Sequence, residues 1–437
     1  MKKVSSCLMI LFAVSLMPMS VGLAQEYALK DLYQQALKNS EKIKMAEENV
    51  YVAQMGKNKA WAVLMPRVTA FGTYTRFTES KYGAPPAYSS VLIQPNESGS
   101  WGVRADQAFS LSARELDALK FAGQSITKNE FDLDAAKSDF VLAVASSYYD
   151  VLKAKKALEI TAANVERLTQ YRHSAEKRVR IGEATKTALL RADGELSGAR
   201  ADYLRATNAL KLARAALTRI TGIEDNFRLK DEEIPSSNLD PFEKLRETAV
   251  NSRADIKSYD MQAQMAEQQV KYARGAFWPN VGLFAIYNGA DQSPMAGTFN
   301  RENVLAGVSL TFPFFEGGLR VAELKEARAK ERQARLAYED FRKNITIELE
   351  GACLDLETQK GALKFLKDQL VFAQDNYNAV LRQYENGLAT NLDVMDANTL
   401  LLSSEKNVAE ALYGYQLAQL KVRRSSGTLL KFIHDGI

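Results

Sequence analysis

Apolar positions along this chain follow two different periods. Leu189, Leu196, Tyr203, Leu210 and Leu217 recur every seven residues, with Ala192, Ala199, Ala206 and Ala213 three residues further on. The pattern returns as Val394, Leu401, Val408, Tyr415 and Val422, with Ala397, Ser404, Ala411 and Ala418. A seven-residue repeat keeps one seam of a helix facing a partner, so both stretches are predicted to be coiled-coil helices. Their small residues let neighbouring helices approach closely.

Elsewhere the period is two. Trp101, Val103, Ala105 and Phe109 alternate with a face carrying Arg104 and Asp106. Val304, Ala306, Val308, Leu310 and Phe312 oppose Gly307, Ser309 and Thr311. Val68–Phe77 and Val281–Tyr287 have similar character. Alternation predicts strands with one apolar face, and a length of about ten residues suits a tilted membrane-crossing strand. Proline placement separates the two regimes. None of the 10 prolines lies between Pro95 and Pro235 or after Pro313. Gln124–Ile181 holds neither proline nor glycine. A helix there would be roughly 85 Å long at about 1.5 Å per residue, and must be packed along its length.

The two halves of the chain repeat. Leu32, Ala36, Ile43 and Pro66 match Leu245, Ala249, Ile256 and Pro279 at an offset of 213 residues. Beyond the first hairpin the offset is 205, pairing Gly102 with Gly307, Gly182 with Gly387, Thr185 with Thr390, and Thr221-Gly222 with Ser426-Gly427. The first hairpin loop is therefore the longer one. This defines a first repeat over 25–222 with a hairpin at about 66–109, and a linker over 223–241. A second repeat follows over 242–427 with a hairpin at about 279–314, then a tail over 428–437. Each repeat reads as helix, strand, loop, strand, very long helix, turn, long helix. The loops are expected at about Thr78–Ser100 and Gly289–Asn303.

Composition narrows the setting. The 437 residues carry a net charge of only +4, which gives no basic surface of the kind nucleic acid requires. Lys2 and Lys3, the apolar run Val4–Met17 and the small residues Gly22 and Ala24 form a signal peptide, expected to be cleaved after Ala24. The apolar run is short for a bilayer-spanning anchor. Cys7 would leave with it, and Cys353 alone supports neither a disulfide nor a thiolate metal cluster. The only histidines are His173 and His434, and no catalytic or cofactor motif stands out. No catalytic residue, metal site or cofactor is expected.

Four amphipathic strands cannot close a membrane barrel, which takes at least about eight, and an open edge in lipid leaves backbone groups unpaired. Several copies must therefore contribute strands together. The chain resembles the outer-membrane efflux protein family, the TolC family, over nearly all of the mature sequence. The resemblance rests on Pro66 and Pro279 at the helix-to-strand junctions and on the run Phe312–Gly318, with Pro313, Gly317 and Gly318, at a strand-to-helix turn. It rests also on the Gly182 and Gly387 turns and on Asp393–Ala397.

It implies an α+β membrane protein. Two tandem repeats each give a hairpin to a trimeric twelve-stranded outer-membrane barrel, and long helices to a periplasmic coiled-coil barrel. The implied role is the exit duct of a tripartite efflux or type I secretion system. The implied partners are two further copies of the chain, a periplasmic adaptor, an inner-membrane transporter and outer-membrane lipid. Two features depart from the pattern. Gln107–Ala113 replaces the Phe-Pro-Phe-Phe-Glu-Gly-Gly run in the first repeat, and Ala188 and Ala389 are uncharged.

Several sites follow from this resemblance. Asp393 and Asp396 would stack as acidic rings constricting the periplasmic entrance, or else serve as first-turn acids stabilising a helix N-terminus. Tyr384 would act as a hydrogen-bonding latch at the constriction. Gly182, Thr185, Gly387 and Thr390 form the turn tips where a partner would dock. Phe71, Tyr74, Trp101, Tyr287 and Phe312 would supply aromatic girdles at the membrane interfaces, or in part serve ordinary strand packing. The competing reading is a periplasmic coiled-coil structural or adaptor protein without a membrane barrel.

Overall fold

The computed structural model describes residues 25–83, 91–234, 240–296 and 299–435. The leader 1–24 and Pro235 of the linker lie outside the described residues, as do parts of both hairpin loops. The first repeat comprises β1 (Gln25–Tyr27), α1 (Leu29–Asn39), α2 (Glu41–Val63), β2 (Arg67–Arg76), β3 (Lys81–Gly83), β4 (Val91–Gln94), β5 (Glu97–Ser110), α3 (Arg114–Arg180) and α4 (Lys186–Thr221). After β6 (Phe227–Leu229) come α5 (Phe242–Ser252), α6 (Ala254–Gly275), β7 (Asn280–Ser293), β8 (Glu302–Thr311), α7 (Leu319–Glu385), α8 (Asn391–Ser425) and α9 (Leu429–Asp435).

Helices α3 and α7 each run 67 residues, about 100 Å at the standard rise. The α3 helix begins at Arg114, ten residues before the proline- and glycine-free tract, and carries Gly123 inside it. A mid-helix glycine costs about 1 kcal/mol, little against the packing of α2, α4, α6 and α8 on α3. The α8 helix is wedged between α7 and α3, whereas α4 packs mainly on α3. Similar heptads are therefore buried unequally: in α8 Val394, Ala397, Leu401, Ser404, Ala411, Ala418 and Val422 are buried, whereas in α4 Tyr203 stays exposed and Leu189, Ala206, Leu210 and Ala213 are only half-buried.

The four longest strands form one antiparallel sheet in the order β2-β5-β7-β8. The β5–β7 pairing, Glu97↔Ser293 through Ser110↔Asn280, joins the two repeats edge to edge. The outer edges of β2 and β8 are unpaired among the described residues. Both hairpins extend beyond the expected loop boundaries. Glu97–Ser100 pairs with Thr73–Arg76, and Gly289–Ser293 pairs with Glu97–Trp101. Strand ladders are backbone bonds, so they continue where the apolar alternation fades. The first loop carries a separate two-stranded ribbon, β3–β4.

Midway along α3 lies the main core. Leu32, Tyr33, Tyr148, Tyr149, Leu217 and Leu429 are buried together with the β1–β6 ribbon, which pairs the chain's start with the linker in parallel. Beside this core, a charged hub ties the helices. Arg253 is 3% exposed and donates to Asp255, Glu348 and the Ser425 carbonyl. Arg424 pairs with Asp139, Asp255 and Glu348. One cluster thus holds α3, α6, α7 and α8.

Candidate functional site

The candidate residues fall at two ends of the protomer, the helical tips and the sheet. At the tips, Gly182 and Gly387 adopt φ of 81° and 76°, left-handed values that glycine takes without a Cβ clash. Each turn is followed by a threonine N-cap. The Thr185 hydroxyl accepts from the Ala188 N–H, and the Thr390 hydroxyl accepts from the Asp393 N–H. Only the second repeat closes the capping box. The Asp393 carboxylate accepts from the Thr390 N–H at 2.7 Å and from its hydroxyl at 2.6 Å, both on Oδ2. These two bonds, side chain first and backbone second, hold the Asp393 carboxyl below the usual carboxylate value. Asp393 is thus a capping residue by geometry. It also stays exposed, as does Asp396 one turn on.

Tyr384 lies inside the protomer at the tip. It is 5% exposed, packed within the protomer with its ring centroid 5.5 Å from that of Tyr171. The Arg178 guanidinium lies 4.5 Å from the Tyr384 ring centre, and the same side chain donates to the Glu385 carbonyl at 2.7 Å. Within the protomer Tyr384 is thus a packed ring joining the ends of α3 and α7. Burial, reinforced by the neighbouring Tyr384, pushes the Tyr171 phenol up. Asn391 adds a side-chain bond to the Ala188 carbonyl across the two tips. Sequence reading overlooked Arg178. Its signal is a cation in the last turn of a helix, where the free carbonyls attract positive charge.

The register of the sheet decides its faces. Val68, Ala70 and Tyr74 share a face with Trp101, Val103 and Ala105, with Leu283 and Tyr287, and with Val304, Val308 and Leu310. This face is strongly apolar and exposed: Val304 is 76% accessible and Val308 72%. Trp101 and Tyr287 meet edge to face at 5.7 Å. Phe312 follows the same alternation just past β8 and makes a similar contact with Phe314 at 4.9 Å.

Phe71 does not belong to this group. It stands opposite Gly102, on the face of Thr69, Arg104 and Asp106. The signal was available, since residues three apart in a strand, such as Phe71 and Tyr74, point to opposite faces. Phe284 lies opposite Gly307 in the same way, so the internal repeat extends to this aromatic–glycine pair.

At the junctions, Pro66 lies between α2 and β2, and Pro279 between α6 and β7. Pro313, Gly317 and Gly318 shape the β8–α7 turn, the two glycines at φ of 61° and 87°. In the first repeat Ala113 occupies the position of Gly318, also left-handed, at φ 57°. Ser110 and Ser112 brace that turn with a hydroxyl–hydroxyl bond, and Ser112 donates to the Gly275 carbonyl.

Among the described residues no helix is long and apolar enough to cross a membrane. The membrane-compatible surface is the apolar face of the sheet. The family described as outer membrane efflux protein matches residues 32–223 and 245–428, one segment in each repeat. The chain belongs to the outer membrane efflux protein family.

It is 24% identical to the outer membrane protein TolC of Escherichia coli (strain K12), over 96% of this chain and 86% of that protein. It is also 24% identical to the pyoverdine export outer membrane protein OpmQ of Pseudomonas aeruginosa, over 90% of this chain and 82% of that one. Among solved structures, the outer membrane protein VceC from Vibrio cholerae superposes with a TM-score of 0.76 at 20% identity, over 91% of this chain and 96% of that one. As a member of this family the chain acts in efflux at the outer membrane. Members of the family are passive channels.

Proposed function

We propose that three copies of this chain close into one conduit, each supplying its four strands to a twelve-stranded barrel and its helices to a periplasmic tunnel. The observation that carries this reading is the sheet with two unpaired edges, β2 and β8, and one exposed apolar face. In lipid each edge must pair with another strand, and only a closed barrel achieves that. The exposed apolar residues of α4, including Leu204 and Leu212, ask for helical neighbours in the same way. Outside a membrane, Val304, Val308 and Leu310 would face water, which argues against the barrel-free scaffold. The number three comes from the family resemblance.

In this assembly the leader is removed after Ala24. The Gly182 and Gly387 tips meet a periplasmic adaptor linked to an inner-membrane transporter. Tyr74, Trp101, Tyr287 and Phe312 lie toward lipid at the barrel interfaces. Asp393 and Asp396 keep their carboxylates exposed at the tip, where three copies would form acidic rings that favour cations. The capping bonds and the ring are compatible, because capping engages only Oδ2 of Asp393.

The deciding experiment is conductance of the detergent-purified mature protein in planar bilayers, with a cross-linking count of subunits. Discrete current steps from a trimer are expected. A protein that is soluble without detergent and silent in bilayers would refute the conduit. Replacing Asp393 and Asp396 together by Ala should reduce cation preference; unchanged ion selectivity would remove the ring.

A further inference from the structure

The sheet face opposite the apolar one has an uneven composition. Among its described strand residues only three carry charge: Arg67, Arg104 and Asp106. The register places Arg67, Asp106 and Phe284 in one row across β2, β5 and β7. The next row holds Arg104, Ile286 and Leu305 across β5, β7 and β8. Two arginines and one aspartate therefore stand beside three apolar side chains, within two rows spaced about 7 Å apart along the strand.

The charges do not cancel. Asp106 is held bidentately by the Arg104 Nε, at 2.7 and 2.8 Å. The terminal guanidinium nitrogens of Arg104 have no partner among the described residues, and Arg67 forms no ion pair with any of them. Arg104 also lies 5.9 Å from the Phe284 ring centre, so the apolar and cationic elements are contiguous. Leu305 is 43% exposed and Phe284 half-buried. A barrel lumen is ordinarily lined by polar side chains, so the apolar trio beside unpaired guanidinium nitrogens is a departure.

We propose that this face of the barrel is a weak binding station for organic anions with an apolar body, such as aryl carboxylates or sulfonates. The inference rests on the conduit reading, in which this face looks into the lumen, and it adds a substrate class. The free nitrogens of Arg104, with Arg67 nearby, pair with the carboxylate or sulfonate oxygens. Phe284, Ile286 and Leu305 cover the apolar body. The patch lies at the β2 end next to α2, where the helical part meets the sheet. A molecule leaving the tunnel would meet it on entering the barrel.

The test is block of single-channel current by 2-naphthalenesulfonate added from the barrel side, compared with naphthylmethylammonium, which has the same rings and the opposite charge. The sulfonate should block in a voltage-dependent manner and the ammonium should not. R67Q/R104Q should weaken the sulfonate block by about tenfold or more, as expected for loss of a charge-assisted contact. Asp106→Asn removes the competing carboxylate and should strengthen the block, which gives a readout even if the double variant fails to assemble. Equal block by both probes, or block unaltered in D106N and in R67Q/R104Q, would overturn the binding station while leaving the conduit intact. No current steps from the wild-type protein would overturn the conduit and this site with it.

Discussion

The ring of Phe71 lies over Gly102 of the neighbouring strand, its Cζ only 2.8 Å from where a Cβ on that glycine would stand. Phe284 repeats the arrangement over Gly307, at 2.5 Å. An aromatic plate covers the bare backbone of each glycine and pins the register of the pair.

The two glycines differ in what else surrounds them. A Cβ at Gly102 would also stand 2.4 Å from the Tyr287 carbonyl oxygen, a backbone atom of the strand that joins the repeats. At Gly307 its three nearest atoms would all belong to the Phe284 ring, a side chain that can turn away. Gly102→Ala should therefore destabilise by about 2 kcal/mol, and Gly307→Ala by less, as overpacking costs ~1–3 kcal/mol. Heat-induced loss of strand structure, followed by circular dichroism, checks the order. Equal melting of the two variants would contradict it.

Ala113 holds a left-handed conformation that its repeat counterpart Gly318 adopts without penalty. Ala113→Gly should stabilise the β5–α3 turn by about 1 kcal/mol, the typical relief of a non-glycine residue at positive φ. The position is an N-cap, so no helical interior is weakened. Chemical denaturation of the detergent-solubilised protein should show the gain.

Arg253 and Arg424 share carboxylates but differ in exposure. Arg253→Ala should cost about 3 kcal/mol, because it strips a buried guanidinium from Asp255 and Glu348. Arg424→Ala should cost about 1 kcal/mol, since Asp139 and Glu348 are open to solvent. The hub also has a pH signature. Burial pushes the Asp255 carboxyl up, but the bonds and charges of Arg253 and Arg424 outweigh it and hold the value below 3.8. Its stabilisation is thus complete above pH 3.8 and is lost as pH falls through the lower folded-state value. Melting temperatures across pH 5 to 2 should fall less steeply in Arg253→Ala than in the wild type.

The Arg178 contacts with Tyr384 and Glu385 join the ends of α3 and α7. Each such contact is worth roughly 1 kcal/mol. Their loss in Arg178→Ala should shift a closed–open equilibrium at the tip toward the open form by about thirtyfold. Higher mean conductance in bilayers is the expected result, and unchanged conductance would assign Arg178 to packing alone.

Much of this was legible in the residues themselves. The heptads, the two-residue alternation, the proline-free tracts and the repeat offsets specify long helices, amphipathic strands and a doubled architecture, because each reflects a local period read within one element. The Gly182 and Gly387 turns and their threonine caps are local in the same sense, and the structure places them as such. The parity of Phe71 was also present in the sequence; its meaning came with Gly102, 31 positions along the chain.

What only the tertiary structure decided depends on contacts between distant elements. The β5–β7 seam, the unequal burial of α4 and α8, the burial of Tyr384 beneath Arg178 and the gathering of Arg253, Arg424, Asp255 and Glu348 each join residues far apart in sequence. A periodic pattern states that a face will be covered, but which partner covers it is set by the geometry of the packed whole.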